Sequence, residues 1–268
     1  MQLFIKSYDD VALKVSVNDI GNPKGIIIIS HGFLEQIVYY NSIAQGLNQR
    51  GYTVVRYDLR SHGGTRTPLG DLKDYRDLIL DLDAVVSYSK TLGHDCPIIT
   101  MGFSLGGLVT ALYGLDYGHN IDGQVLLAPG LCIQEAWQDL TQPSLSVMAL
   151  FSTLIQDDIW QLSMIEHALS KAPFKRVTRS FVTETLVHAP TVFQARAAAY
   201  ACPCLIFHGD RDSIVPLESS KTFFQSTQNS ANALKIIEGV GHNILQSQKK
   251  DMVMDAIDVW IDALNRVG

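Results

Sequence analysis

Apolar and polar positions alternate along the chain in two distinct rhythms. The first twenty residues carry two short runs, 3–7 and 12–17, that flank a Tyr8-Asp9-Asp10 turn, which predicts a β-hairpin. Gly25–Ser30 then carries four consecutive isoleucines, Ile26 to Ile29. A run with no polar face fits a strand buried on both sides of a parallel sheet. Helical spacing follows in Asn41–Gln49, where Ile43, Ala44 and Leu47 share a face and Gly51 can end the helix. Tyr52–Tyr57 is β-rich, and 74–92 places Leu78, Ile79, Leu82, Val85 and Val86 on one helical stripe. Strands over 97–102 and 124–128 bracket a helix over 105–115.

Between about Cys132 and Tyr200 the alternation stops. That stretch holds helical patterns and no convincing strand. It then resumes with a strand over 204–208, a helix over 217–227, a strand at Ala233–Ile237 and a helix over 246–265. Strands that alternate with helices imply an α/β chain with a doubly wound, mostly parallel sheet. We therefore expect one core domain, 1–131 with 201–268, interrupted by a helical cap insertion over 132–200. A chain of 268 residues is long for one domain, but α/β domains reach this size.

Composition narrows the partners. The net charge is −6, with no run of like charges and no Lys/Arg stripe, so no nucleic-acid partner is expected. The first ten residues lack the basic and apolar regions of a signal peptide. The longest apolar stretches, 25–29 and 144–155, fall short of the ~18 residues that argue for a membrane span. The expectation is a cytoplasmic protein without stable membrane insertion. Cys96, Cys132, Cys202 and Cys204 are too few and too uneven for a disulfide framework. Cys202-Pro203-Cys204 lacks a second Cys/His pair at zinc-site spacing, so free thiols and no metal site are expected.

The chemistry centres on Gly102-Phe103-Ser104-Leu105-Gly106, a G-x-S-x-G segment between a predicted strand and a predicted helix. In that context the tight turn lifts Ser104 above the sheet, and the following helix aims free N–H groups at the site. A serine hydroxyl needs a base, and the base needs an orienting carboxylate. Among the downstream histidines, only His242 lies in a Gly-rich loop between the last strand and the last helix. The carboxylate belongs in the loop after the preceding strand, where Asp210 and Asp212 both qualify by position. Backbone N–H groups of Phe33, after the first long strand, and Leu105 are the candidate oxyanion donors. His31 is read as organising its loop. Asp58, Arg60 and His62 are read as bracing a turn near the site.

Taken together, these segments resemble the monoacylglycerol lipase and lysophospholipase branch of the α/β-hydrolases. His31-Gly32-Phe33-Leu34-Glu35-Gln36 with Tyr40 is similar to the branch's H-G-x-x-E-H…Y segment. Asp58-Leu59-Arg60-Ser61-His62-Gly63 is similar to D-x-R-G-H-G, and His208-Gly209 through Asp212 to Pro216 to H-G-x-x-D-x-x-V-P. The resemblance covers most of the chain outside the insertion. It implies Asp212 as the triad acid, a cap over the active site, and no cofactor. Gln36 stands where the branch often has His, and Ser61 where it often has Gly.

The implied activity is hydrolysis of carboxylic esters, with a short- to medium-chain acyl group or a monoacylglycerol- or lysophospholipid-like substrate. The insertion's apolar residues, Met148, Phe151 and Trp160 among them, are candidates for the substrate pocket. A homodimer is a further expectation, because the same apolar face can serve as a subunit contact. Two rival readings remain. A thioesterase or aminopeptidase could use this scaffold, with Glu135, Asp139, Asp157 and Asp158 available to bind a free amine. A non-catalytic binding protein could keep the fold.

Overall fold

The computed structural model describes residues 1–133, 140–154, 174–227 and 229–264, and for 151–154 the backbone alone. Among these residues eight strands form one sheet in the order β1-β2-β4-β3-β5-β6-β9-β10. The strands are β1 (Gln2–Lys6), β2 (Ala12–Asn18), β3 (Gly25–Ser30), β4 (Tyr52–Tyr57), β5 (Ile98–Phe103), β6 (Gly123–Leu127), β9 (Cys204–Gly209) and β10 (Ala233–Ile237). β1 and β2 form the antiparallel hairpin, and β2 joins β4 antiparallel. From β4 to β10 every pairing is parallel.

The isoleucine run of β3 explains how the layers assemble. Ile26 and Ile28 belong to a core shared with α2 (Arg76–Lys90) and α3 (Leu105–Tyr117). Ile27 and Ile29 belong to a second core shared with α1 (Asn41–Gln49) and α8 (Lys250–Leu264). Successive side chains on a strand point to opposite faces, so a strand covered on both sides is mostly apolar at every position. A polar residue such as Ser30 is kept there only with a hydrogen-bond partner, here the Tyr57 hydroxyl. This doubly covered sheet is the α/β-hydrolase fold.

The chain order also sets the place of the site. β3 lies between β4 and β5, so the chain leaves β3 toward one side and returns on the other. Ligands in open α/β sheets bind outside the strand C-termini at such a switch point. The loops after β3 and β5 meet there.

The final helix starts at Lys250, four residues later than its apolar spacing suggested. Residues Ile244–Gln246 form a separate tight turn, and the Ser247 hydroxyl accepts the Lys249 N–H. A serine that caps the backbone in this way begins a helix rather than sitting inside one. The insertion also holds strands that the pattern missed. β7 (Ser144–Ser146) pairs antiparallel with β8 (Arg176–Thr178). Each is three residues long, too short to display alternation, and the partners lie some thirty positions apart in the chain. The other described elements of this segment are α4 (Val147–Leu154), α5 (Arg179–Thr183), a π-helical turn Glu184–His188 and α6 (Ala189–Arg196). Between β9 and β10 lies α7 (Leu217–Ser226).

Candidate active site

The turn at Ser104 is built by its two glycines. A Cβ on Gly102 would run into the Gly106 carbonyl and the Thr110 hydroxyl. One on Gly106 would run into the carbonyls of Ser30 and His31. The second constraint seats the start of α3 directly against the C-terminal end of β3. Ser104 itself holds φ 52° and ψ −114°, a conformation L-residues rarely adopt. Neighbouring backbone pins it there: Ser104 N–H donates to Leu127 O, and Gly130 N–H donates to Ser104 O, both at 3.0 Å. Leu105 opens α3, so its N–H has no acceptor within the helix.

Three loops converge on the serine. His242 Nε2 lies 2.9 Å from Ser104 Oγ, and His242 Nδ1 lies 2.7 Å from Asp212 Oδ2. A carboxylate can only accept, so Nδ1 carries the proton and Nε2 presents its lone pair to the serine hydroxyl. The Phe103 ring packs on the imidazole, with centroids 4.9 Å apart. Close approach of the two loops depends on Gly209, whose added Cβ would strike the Val240 and Gly241 carbonyls.

The geometry separates the two aspartates that position alone left equal. Asp210 accepts the Gly239 N–H at 2.7 Å and braces the turn after β10. Asp212 is fully buried, and Oδ1 accepts the Ile214 and Val215 N–H groups, both at 2.9 Å. His208, which sequence reasoning passed over, sits 3.2 Å from Asp212 Oδ2. Its Nε2 also faces Val215 O, so Nε2 carries the proton, and Nδ1 accepts from the Ser220 hydroxyl at 2.7 Å. Burial pushes the Asp212 carboxyl up. The hydrogen bonds from His208 and His242, the His242 charge and the Val215 N–H outweigh it and hold the group well below the usual carboxylate range. The only sequence sign of His208 was its place in the H-G pair that opens this loop.

The loop after β3 is organised by the buried His31 and Asp58 and the half-buried Glu35. His31 Nε2 accepts the Leu59 N–H at 3.0 Å, so Nδ1 carries the proton and donates to Gly32 O at 2.8 Å. That carbonyl belongs to the same peptide as the Phe33 N–H, and in a trans peptide the two point in opposite directions. His31 therefore orients the N–H of Phe33. Glu35 Oε2 accepts the Gly32 N–H at 2.8 Å and the Tyr40 hydroxyl at 2.6 Å. Burial pushes the Glu35 carboxyl up, against the opposing pull of the Tyr40 and Gly32 hydrogen bonds and the His242 charge. Asp58 accepts the Ile37 and Gly64 N–H groups, tying this loop to the next. Arg60 is paired with Asp9 and Asp81, which pins the N-terminal hairpin to α2.

A cavity of about 340 Å³ opens beside Phe103 and Asn243, with Glu35, Tyr39, Ile43 and Leu245 in its wall. Of the pocket candidates in the insertion, Met148 is half-buried against the core, while Leu145, Val147 and Leu150 are core residues. The Phe151 side chain and Trp160 lie outside the described residues, as do Glu135, Asp139, Asp157 and Asp158. Cys96, Cys202 and Cys204 are free thiols, and Cys202 and Cys204 are buried at the start of β9. Among the described residues, no helix is long and apolar enough to cross a membrane.

A family model described as "Serine aminopeptidase, S33" matches residues 21–249. The chain is 24% identical over 254 residues to a monoacylglycerol lipase of Mycolicibacterium smegmatis, covering 90% of this chain and 89% of that one. It is 26% identical over 265 residues to a caffeoylshikimate esterase of Arabidopsis thaliana, covering 90% and 79%. The crystal structure of a Paleococcus ferrophilus monoacylglycerol lipase superposes with a TM-score of 0.76 at 20% identity, covering 94% and 99%.

Proposed function

The chain belongs to the serine aminopeptidase S33 family of α/β-hydrolases, and from that premise we propose that it cleaves carboxylic esters through an acyl-enzyme on Ser104. The observation that carries this reading is the unbroken hydrogen-bonded line from Ser104 Oγ, on a serine held at positive φ, through His242 to the buried Asp212. His242 Nε2 takes the serine proton as Oγ attacks the ester carbonyl. Asp212 keeps the imidazole in the required tautomer and stabilises the imidazolium that forms. The oxyanion is received by the N–H groups of Phe33 and Leu105, and losing one such donor costs about 3–4 kcal/mol of transition-state stabilisation. The tetrahedral intermediate collapses, the C–O bond breaks, and His242 returns the proton to the departing alcohol. Water then repeats the sequence on the acyl-enzyme, releasing the acid and restoring Ser104.

The substrate we propose has a short- to medium-chain acyl group. Each buried CH₂ contributes up to about 0.8 kcal/mol, so kcat/KM on p-nitrophenyl esters rises with acyl length up to about eight carbons. A flat series would remove this assignment. The family description favours a second reading, removal of an N-terminal residue from a peptide. Aminoacyl anilides run beside the ester panel separate the two, and turnover of anilides alone would favour the peptidase.

A further inference from the structure

We propose that Phe174 and Phe181, both in the segment between β6 and β9, are positioning residues that set the backbone N–H of Phe33 at the oxyanion site. The inference rests on the reading of Phe33 as an oxyanion donor. Its starting point is the way that residue is held. On the sheet side its backbone is fixed by His31, which grips the Gly32 carbonyl. On the other side stands a ring cluster. The Phe33 ring lies 5.4 Å from Phe181 and 5.9 Å from Phe174, centroid to centroid, and 5.9 Å from the His62 imidazole. His62 in turn lies 5.2 Å from Phe174 and 5.7 Å from Phe181, so the four rings close on one another. His62 also touches His31, at 5.2 Å, which joins the two holds on Phe33.

The loop needs an outside hold. Leu34 has φ 62°, so the chain turns sharply just past Phe33 through a conformation that is unfavourable by itself. Phe174 and Phe181 are firmly seated. Phe181 is 2% exposed, and the intervening Thr178 donates its N–H to Gly70 O and its hydroxyl to Asp71, both at 2.9 Å. Glu184 accepts the Tyr75 N–H at 3.1 Å. Gly70, Asp71 and Tyr75 lie on the same connection from β4 to α2 that carries His62. The segment is thus fastened to the connection that supplies the fourth ring, and a shift of Phe174 or Phe181 is passed to the Phe33 ring and its backbone. Misplacing a catalytic group by about 1 Å can cost on the order of a hundredfold in rate.

Phe174→Leu, Phe181→Leu and Phe174→Tyr in the full chain test this, with p-nitrophenyl butyrate kinetics and fluorophosphonate labelling of Ser104 as the two readouts. Phosphonylation places a developing negative oxygen in the same site, so its rate reports the donor geometry independently of ester binding. The expected result is a fall in kcat of about tenfold for each leucine variant, a KM within about twofold of wild type, and a parallel fall in labelling rate. Phe174→Tyr, which keeps the ring, retains the wild-type values. Should Phe181→Leu fail to fold by circular dichroism, Phe174→Leu decides alone. Leucine variants that raise KM with kcat and labelling unchanged would overturn the coupling and leave the acyl-enzyme reading intact. Absence of labelling in wild type would overturn both.

Discussion

The carboxylate at position 212 has four donors around it, and the one at 210 has a single N–H on an exposed turn. That contrast gives a sharp expectation. Asp212→Asn lowers kcat by about 10⁴, the scale of removing the carboxylate that fixes a catalytic histidine's tautomer. Asp210→Asn leaves kcat within about twofold and costs only a local turn contact, on the order of 1 kcal/mol. Steady-state kinetics on one ester distinguishes them, and the opposite order would move the acid role to Asp210. Ser104→Ala and His242→Ala each remove nearly all turnover, and the double variant is no worse than either, because the pair acts as a unit. Position in the chain nominated both aspartates, and the family resemblance chose between them. The reason for the choice is spatial: Asp212 folds back under the β9 strand end to reach a histidine thirty residues on, and no local pattern encodes that.

At the level of elements, the strands carried the clearest sequence signal, because covering a strand on both faces favours a largely apolar run such as Ile26 to Ile29. Ile28→Ala should cost about 2–5 kcal/mol of stability, read as a lower midpoint in urea, since the residue is fully buried and its removal leaves a cavity. Gly106→Ala is expected to act differently. Its methyl group meets the Ser30 and His31 carbonyls, so α3 must shift away from β3. That separates the two candidate oxyanion donors, and kcat falls by at least about 10² even where the protein still folds. A variant with wild-type kcat would show that the contact between α3 and β3 is dispensable. The β7–β8 ribbon was illegible for the opposite reason to the strands. Its stability comes from buried Leu145 and Val177 and from Thr178 docking on Gly70, contacts between distant residues that leave no local rhythm.

Across the whole molecule, two buried neutral histidines couple folding to pH. Burial pushes His31 down to about 4, opposed by its bond to Gly32. Burial, with the neighbouring His31, pushes His62 down to about 3. Both therefore bind fewer protons in the folded chain than in the unfolded chain, where the ordinary value is 6.5. Stability then rises with pH across this window and falls as the solution is acidified from 6.5 toward 4. Between pH 7 and pH 5 the loss is about 2 kcal/mol for each histidine. Asp212, held low, keeps its charge throughout this window and adds no slope. Urea midpoints measured at pH 7 and pH 5 on wild type and on His62→Gln isolate the histidine contribution from that of Glu35 and Asp81, whose raised carboxyls act with the opposite sign: the variant should lose about 2 kcal/mol less on acidification. The same loss in both proteins would contradict the assignment.

The sequence by itself determined the alternating layers, the tight turn at Ser104 and the glycine-rich loop of His242, because each is encoded in a few contiguous residues. Hydrophobic runs specify covered strands, and glycines specify turns too tight for a side chain. It also narrowed the candidate site to Ser104, His242 and one of two aspartates. The tertiary structure decided what depends on contact between separate loops. It brought Asp212 rather than Asp210 to His242, added His208 behind it, turned His31 onto the Gly32 peptide and enclosed Phe33 in rings from a remote segment. Those outcomes follow from the packing of α3 against β3 and of β9 against the His242 loop, and such distances exist only once the sheet has formed.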